Sequence, residues 1–222
     1  MADIVREIRG PEGVLEVLLD EPAGLRADAP PRAAVVLGHP HPLYGGTMHT
    51  KGLYQAAKGL SRIGCAVLRF NFRGVGRSDG TFDNGPGEMA DFRAALTFMT
   101  ARYPGVPLWA GGFSFGAWVG LVAGAEDERV SVLIGIAPPI EKYDFTALRE
   151  SRKPKFFIQG ELDEICPTKV LRQFYGQLHE PKELAIIDGA NHLFDGQASE
   201  VGDAIEELLS DYPERAEVGG EA

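Results

Sequence analysis

Cysteine is nearly missing from this 222-residue chain: only Cys65 and Cys166 are present, so no disulfide framework holds the fold together. Basic residues are also scarce, with 22 Lys and Arg against 32 Asp and Glu, a formal net charge of −10. That balance excludes a nucleic-acid backbone or an anionic membrane surface as the main partner. No apolar run approaches the roughly 18 residues of a membrane span. Residues 1–8 lack the basic and then apolar regions of a signal peptide, and a cytoplasmic location is expected. Internal repeats, low-complexity segments and domain linkers are missing too. What is there is 44% hydrophobic and 24% charged, ordinary for a globular enzyme with one sizeable core.

Apolar residues recur with two alternating periods along the chain. Strands are expected at 13–20, 33–37, 65–70, 108–111, 130–137, 155–159 and 183–187. Helices are expected at 48–62, 88–101, 115–124, 168–178 and 194–209. The strand at 130–137 is almost continuously apolar, as befits one covered on both faces. Alternating β and α elements mean a mostly parallel, twisted sheet with helices on both faces. Sites in such sheets form in the loops past the carboxyl ends of the strands. We expect a single domain over 1–210 and a disordered tail over 211–222.

Gly112-Phe113-Ser114-Phe115-Gly116 joins an expected strand to an expected helix, with a serine at the turn. The glycines let a strained backbone reverse without Cβ clashes, so the serine Oγ stands clear of the sheet edge beside the Phe115 amide. In a chain with 28 glycines the pattern alone is weak, and partners must support it. A serine hydroxyl is a nucleophile only when a base takes its proton and a third group fixes that base. Two histidines follow Ser114. His179 falls at a helix end, where a solvated role suits it. His192 lies in the loop after the last expected strand, at the same sheet edge as Ser114. For the acid, Asp163 lies just past the strand at 155–159, with Glu161, Glu164 and Asp188 as competitors.

Two other segments invite different chemistry. Gly74, Gly76 and Gly80 miss the dinucleotide pattern, because the third glycine would have to stand at Asp79. A structural turn, with Arg73 tying loops together, is expected there instead. His39 and His41 suggest a metal pair, but no third ligand is spaced to complete it, and neither metal nor cofactor is expected.

With these residues in view, the chain resembles small, capless serine esterases of the α/β-hydrolase superfamily, close to the dienelactone-hydrolase-like group. The resemblance runs from about Val14 to Leu209 and rests on His39–Gly46, Phe70–Gly80, the Ser114 turn, Gly160–Asp163 and Ala190–Phe194. It implies an α/β-hydrolase fold without a separate cap domain, and a catalytic set of Ser114, Asp163 and His192. It also implies an oxyanion hole from the amides of Phe115 and His41, with Leu43 or Tyr44 as substitutes for the latter. Dienelactone hydrolases proper carry cysteine where Ser114 stands, which turns expectation away from dienelactone. The expected reaction is hydrolysis of a small carboxylic ester through an acyl-enzyme, by a monomer or homodimer. The same residues would serve a thioesterase, acyltransferase, peptidase or perhydrolase, and a non-catalytic binding module is a further alternative. Leu43, Tyr44, Phe113, Phe115, Trp118, Ile140, Tyr143 and Phe194 are the expected pocket lining, which would favour apolar acyl or aryl groups.

Overall fold

An N-terminal hairpin, β1 (Glu7–Gly10) and β2 (Gly13–Asp20), opens the chain, and strand and helix then alternate to its end. The order is β3 (Ala34–Gly38), α1 (Lys51–Arg62), β4 (Ala66–Phe70), α2 (Pro86–Arg102), β5 (Leu108–Phe113) and α3 (Phe115–Glu126). After these come β6 (Val130–Ile136), α4 (Thr146–Glu150), β7 (Lys155–Gly160), α5 (Thr168–Tyr175), β8 (Lys182–Ile187) and α6 (Ala198–Leu209). The computed structural model describes residues 5–22 and 29–212; beyond Tyr212 the expected tail lies outside the described residues.

The eight strands form one sheet in the order β1-β2-β4-β3-β5-β6-β7-β8. Only the hairpin strand pairings are antiparallel, β1 to β2 and β2 to β4; every other neighbour is parallel. From β3 the chain moves outward to β4, then returns past β3 to β5. The loops after β3 and β5 therefore leave in opposite directions, and a crevice opens between them at the carboxyl edge.

Burial on both faces explains why the inner strands read as apolar runs. Val36, Leu68 and Ala110 face α2 and α3, packing with Phe92, Leu96 and Leu121. Their neighbours Val35, Leu37, Val67 and Trp109 face α1 and α6, packing with Leu53, Leu60, Val201 and Ile205. The α1–α6 crossing is close: a Cβ built on Gly59 would stand 2.3 Å from the Gly202 carbonyl oxygen.

Two helix starts and two short elements differ from the sequence expectation for local reasons. The first helix starts at Lys51 rather than Met48, because the Met48 amide donates to Asn71 Oδ1 at 2.9 Å instead of entering a helical turn. The last starts at Ala198 rather than Phe194, which adopts a left-handed φ of 56°. The strand β1 and the helix α4 are four and five residues long, too short to register as periodic segments.

The glycine-rich segment after β4 is a set of turns held from below. Arg73, buried, donates to both oxygens of buried Asp91 on α2 at 3.0 and 2.8 Å, and to Glu12 of the β1–β2 turn at 2.7 Å. It thereby fixes the antiparallel hairpin to the parallel sheet.

Candidate active site

Ser114 follows β5 directly, with φ 55° and ψ −117°, a backbone conformation that residues other than glycine rarely adopt. Its amide donates to Ile136 O at 2.8 Å, while its carbonyl accepts from Ala117 and Trp118 as α3 begins. The flanking glycines are required by contact. A Cβ on Gly112 would stand 2.4 Å from Gly116 O, and one on Gly116 2.2 Å from the carbonyl carbon of Gly38. Strand and helix therefore approach more closely than any side chain permits, which throws the Ser114 side chain out at the apex.

His192 and Asp163 meet Ser114 from the loops after β8 and β7. His192 Nε2 lies 3.0 Å from Ser114 Oγ, and His192 Nδ1 lies 2.8 Å from Asp163 Oδ2. All three side chains are more than nine-tenths buried. Asp163 is surrounded by donors. Oδ1 accepts from the amides of Ile165 and Cys166 at 2.9 and 2.8 Å, and Oδ2 accepts from Gln159 Nε2 at 2.9 Å. The remaining contact assigns the hydrogen to His192 Nδ1, and Nε2 is left to accept from the serine hydroxyl. The two loops are clipped together, Leu162 N donating to Ala190 O at 2.9 Å and Gly189 N to Glu161 Oε2 at 2.9 Å. Within the histidine loop, Asn191 Oδ1 accepts from the amides of Leu193 and Asp195 at 3.1 and 3.0 Å. The competing acids Glu161, Glu164 and Asp188 are exposed, and so is His179, whose carbonyl accepts from Lys155 Nζ. Chemically, the arrangement can pass a proton from a hydroxyl to an imidazole held by a carboxylate.

The loop after β3 supplies the facing wall. Among the described residues, neither the His41 nor the Phe115 amide donates within the protein, so both are free to meet a developing anion. The His41 ring packs 5.0 Å from those of Phe115 and Phe82 and accepts from Leu43 N at 3.2 Å. Burial, and then the charge of Lys142, lower the His41 pKa from its ordinary value. His39 has no ring nitrogen to spare: Nδ1 contacts Pro40 O at 2.6 Å, and Nε2 accepts from Phe72 N at 3.1 Å. Burial holds its pKa down to about 4, so it is a neutral strut between β3 and β4. Asp163, Cys166 and His192 do bring potential metal-ligating atoms within 4.8 Å of one another, but the first and third already bond each other. Burial and the nearby Asp163 charge push the Cys166 thiol up to about 12.

Ser114 and His192 open into a cleft of about 430 Å³. Pro40, His41 and Tyr44 form one wall; Pro139, Lys142 and Tyr143 form another, with Phe115 between them. Ile165 and Leu193 close the rim. Of the expected lining residues, Tyr44, Phe115 and Tyr143 are there and the others are not. Phe113 and Phe194 are fully buried against each other on the α1–α6 side of the sheet, 5.7 Å between ring centroids. Trp118 stacks behind Tyr143 at 4.2 Å. Leu43 is exposed, with its side chain outside the cleft, and Ile140 lies in a neighbouring small cavity. Pro139, Lys142, Ile165 and Leu193 escaped the sequence reading, although each lies within three residues of a residue it singled out.

Comparison with known proteins places these features in a wider set. The family described as Serine aminopeptidase, S33, matches residues 29–150, more than half of the chain. An uncharacterized protein of Rickettsia prowazekii is 37% identical over 209 residues, covering 90% of this chain and 86% of the relative. An α/β serine hydrolase homologue from Coxiella burnetii superposes with a TM-score of 0.86 at 36% identity, covering 94% of this chain and 98% of the other. An α/β serine hydrolase without lid from Xanthomonas campestris gives a TM-score of 0.82 at 35% identity, covering 92% of each chain. Consistent with the last, 137–154 hold nothing larger than α4 between β6 and β7. Among the described residues no helix is long and apolar enough to cross a membrane.

Proposed function

The chain belongs to the Serine aminopeptidase, S33, family and is a small α/β serine hydrolase without a lid, and on that footing we propose that it hydrolyses small carboxylic esters through an acyl-enzyme on Ser114. The observation that carries this reading is the continuous hydrogen-bonded run from Asp163 through His192 to Ser114, 2.8 and 3.0 Å long, opening into a cleft. Ser114 Oγ attacks the acyl carbon while its proton passes to His192 Nε2, and Asp163 accepts from Nδ1 and stabilises the imidazolium. The amides of Phe115 and His41 donate to the oxyanion of the tetrahedral intermediate; one such donor contributes on the order of 10²–10³ in kcat. The C–O bond to the alcohol then breaks as the imidazolium gives the alkoxide its proton. Water, deprotonated by His192, attacks the acyl-enzyme and frees the acid.

The cleft favours an ester over an N-terminal peptide. An aminopeptidase must hold a substrate ammonium, and none of the residues lining this cleft is acidic. About 430 Å³ suits a small-molecule substrate, and the aromatic walls suit an apolar or aryl portion.

Labelling with a fluorophosphonate, mapped by mass spectrometry on wild type and Ser114→Ala, tests the nucleophile. Stoichiometric modification at Ser114 that vanishes in the variant is expected, together with turnover of short 4-nitrophenyl esters lowered about 10⁴-fold in the variant. A folded wild-type protein that takes up no probe overturns the assignment.

A further inference from the structure

We propose that Lys142 makes this site select esters that carry a negatively charged group in addition to the scissile bond. The inference deepens the ester reading given above and rests on it. Among the residues lining the cleft, Lys142 is the one with a permanent charge; Asp and Glu are absent from the lining. It shares that cleft with Ser114 and His192, so a substrate acylating the serine lies within the same small volume as the lysine.

Three observations carry the argument. First, Lys142 is held at its main chain. The loop after β6 starts with a left-handed residue, Ala137, and two prolines, and the Lys142 amide donates to Pro139 O at 3.0 Å. Its Cα is thus fixed beside Tyr143, which is stacked on Trp118 at 4.2 Å. Second, among the described residues no carboxylate lies within ion-pairing distance of Lys142, in a chain carrying 32 acidic residues. The nearby Asp144 carboxylate is engaged by the Thr146 amide and hydroxyl at 2.8 and 2.6 Å. Third, the Lys142 charge reaches the facing wall, where it adds to burial in lowering the His41 pKa.

A flexible ammonium against one anionic group recognises charge rather than a fixed fork geometry. A carboxylate on the acyl chain or on the alcohol would satisfy it. At an accessible site such a pair is worth up to about fivefold in relative kcat/KM.

Matched esters read the effect. On the acyl side, 4-nitrophenyl hemiglutarate is compared with 4-nitrophenyl valerate, which replaces the carboxylate by a methyl group at equal chain length. On the alcohol side, 4-acetoxybenzoate is compared with its methyl ester. The anionic-to-neutral ratio of kcat/KM is measured for wild type, Lys142→Arg, Lys142→Gln and Lys142→Glu. In one of the two pairs the ratio is expected to fall about two- to fivefold in Lys142→Gln, further in Lys142→Glu, and to survive in Lys142→Arg. Ratios in both pairs that match between wild type and Lys142→Gln overturn the inference and leave the ester reading standing. A wild-type protein that hydrolyses none of the four esters overturns the ester reading and this inference with it.

Discussion

Gln159 donates one side-chain hydrogen to Asp163 Oδ2 at 2.9 Å, the oxygen that also faces His192, while its own carbonyl oxygen is buried without a partner among the described residues. The other amide hydrogen goes to Cys166 O at 2.7 Å. Rotating the amide would set its oxygen against the carboxylate, so the unpaired oxygen is the cost of holding Asp163. A buried unpaired acceptor costs roughly 1–3 kcal/mol, and a hydrogen bond to a charged group contributes about 1.5–3 kcal/mol.

Replacing Gln159 by Leu removes the unpaired oxygen and both donated bonds, to Asp163 and to Cys166 O. Esterase kcat is therefore expected to fall about tenfold with KM changing little, and stability against urea to fall by roughly 1–3 kcal/mol for the Cys166 carbonyl left unpaired. Kinetics and urea denaturation on the same preparation check this. A folded variant that loses stability but keeps its kcat would mean that Gln159 merely packs.

Relief of backbone strain separates two inactive variants. Ser114→Ala and Ser114→Gly both lack the hydroxyl, but only glycine adopts φ 55°, ψ −117° freely. Ser114→Gly is expected to be more stable than Ser114→Ala by roughly 1–3 kcal/mol, less up to about 1 kcal/mol for the looser unfolded chain. Thermal unfolding of the pair settles the sign.

Buried His39 imposes a pH dependence on stability. Its folded pKa of about 4 lies below the ordinary imidazole value of 6.5, so the unfolded chain binds the extra proton as pH falls. The stability tied to neutral His39 is complete above about 6.5 and is lost progressively down to about 4. Between pH 7 and pH 5 the loss is about 2 kcal/mol. Urea titrations of wild type and His39→Asn at both pH values should show this extra loss only in wild type.

Both thiols should be inert while the protein is folded. Burial pushes Cys65 and Cys166 up to about 12, which leaves almost no thiolate at pH 8. Iodoacetamide is expected to modify neither in buffer and both in concentrated urea, as counted by intact mass.

How much of this was legible in the sequence follows from what each signal depends on. The strands, the sharp turn at Ser114 and the loops holding Asp163 and His192 follow from periodicity, glycine placement and chain order, all local or sequential. The faces of aromatic residues are not local. Phe113 and Phe194 flank Ser114 and His192 closely in sequence, yet β5 and a left-handed turn direct them into the core beneath the site. Lys142 sits on a loop whose direction two prolines set, and Gln159 reads as an ordinary strand residue until β7 is placed beside the histidine loop. Neither leaves a periodic trace.

The order of strands in the sheet also has a consequence for synthesis. Ser114 leaves the ribosome first, and its proposed base follows 78 residues later, after β8, the outermost strand on that side. Until β8 docks against β7, the loop that carries His192 has no sheet edge to set it beside Ser114. On the proposed mechanism, hydrolytic competence therefore arrives with β8 rather than with the serine itself.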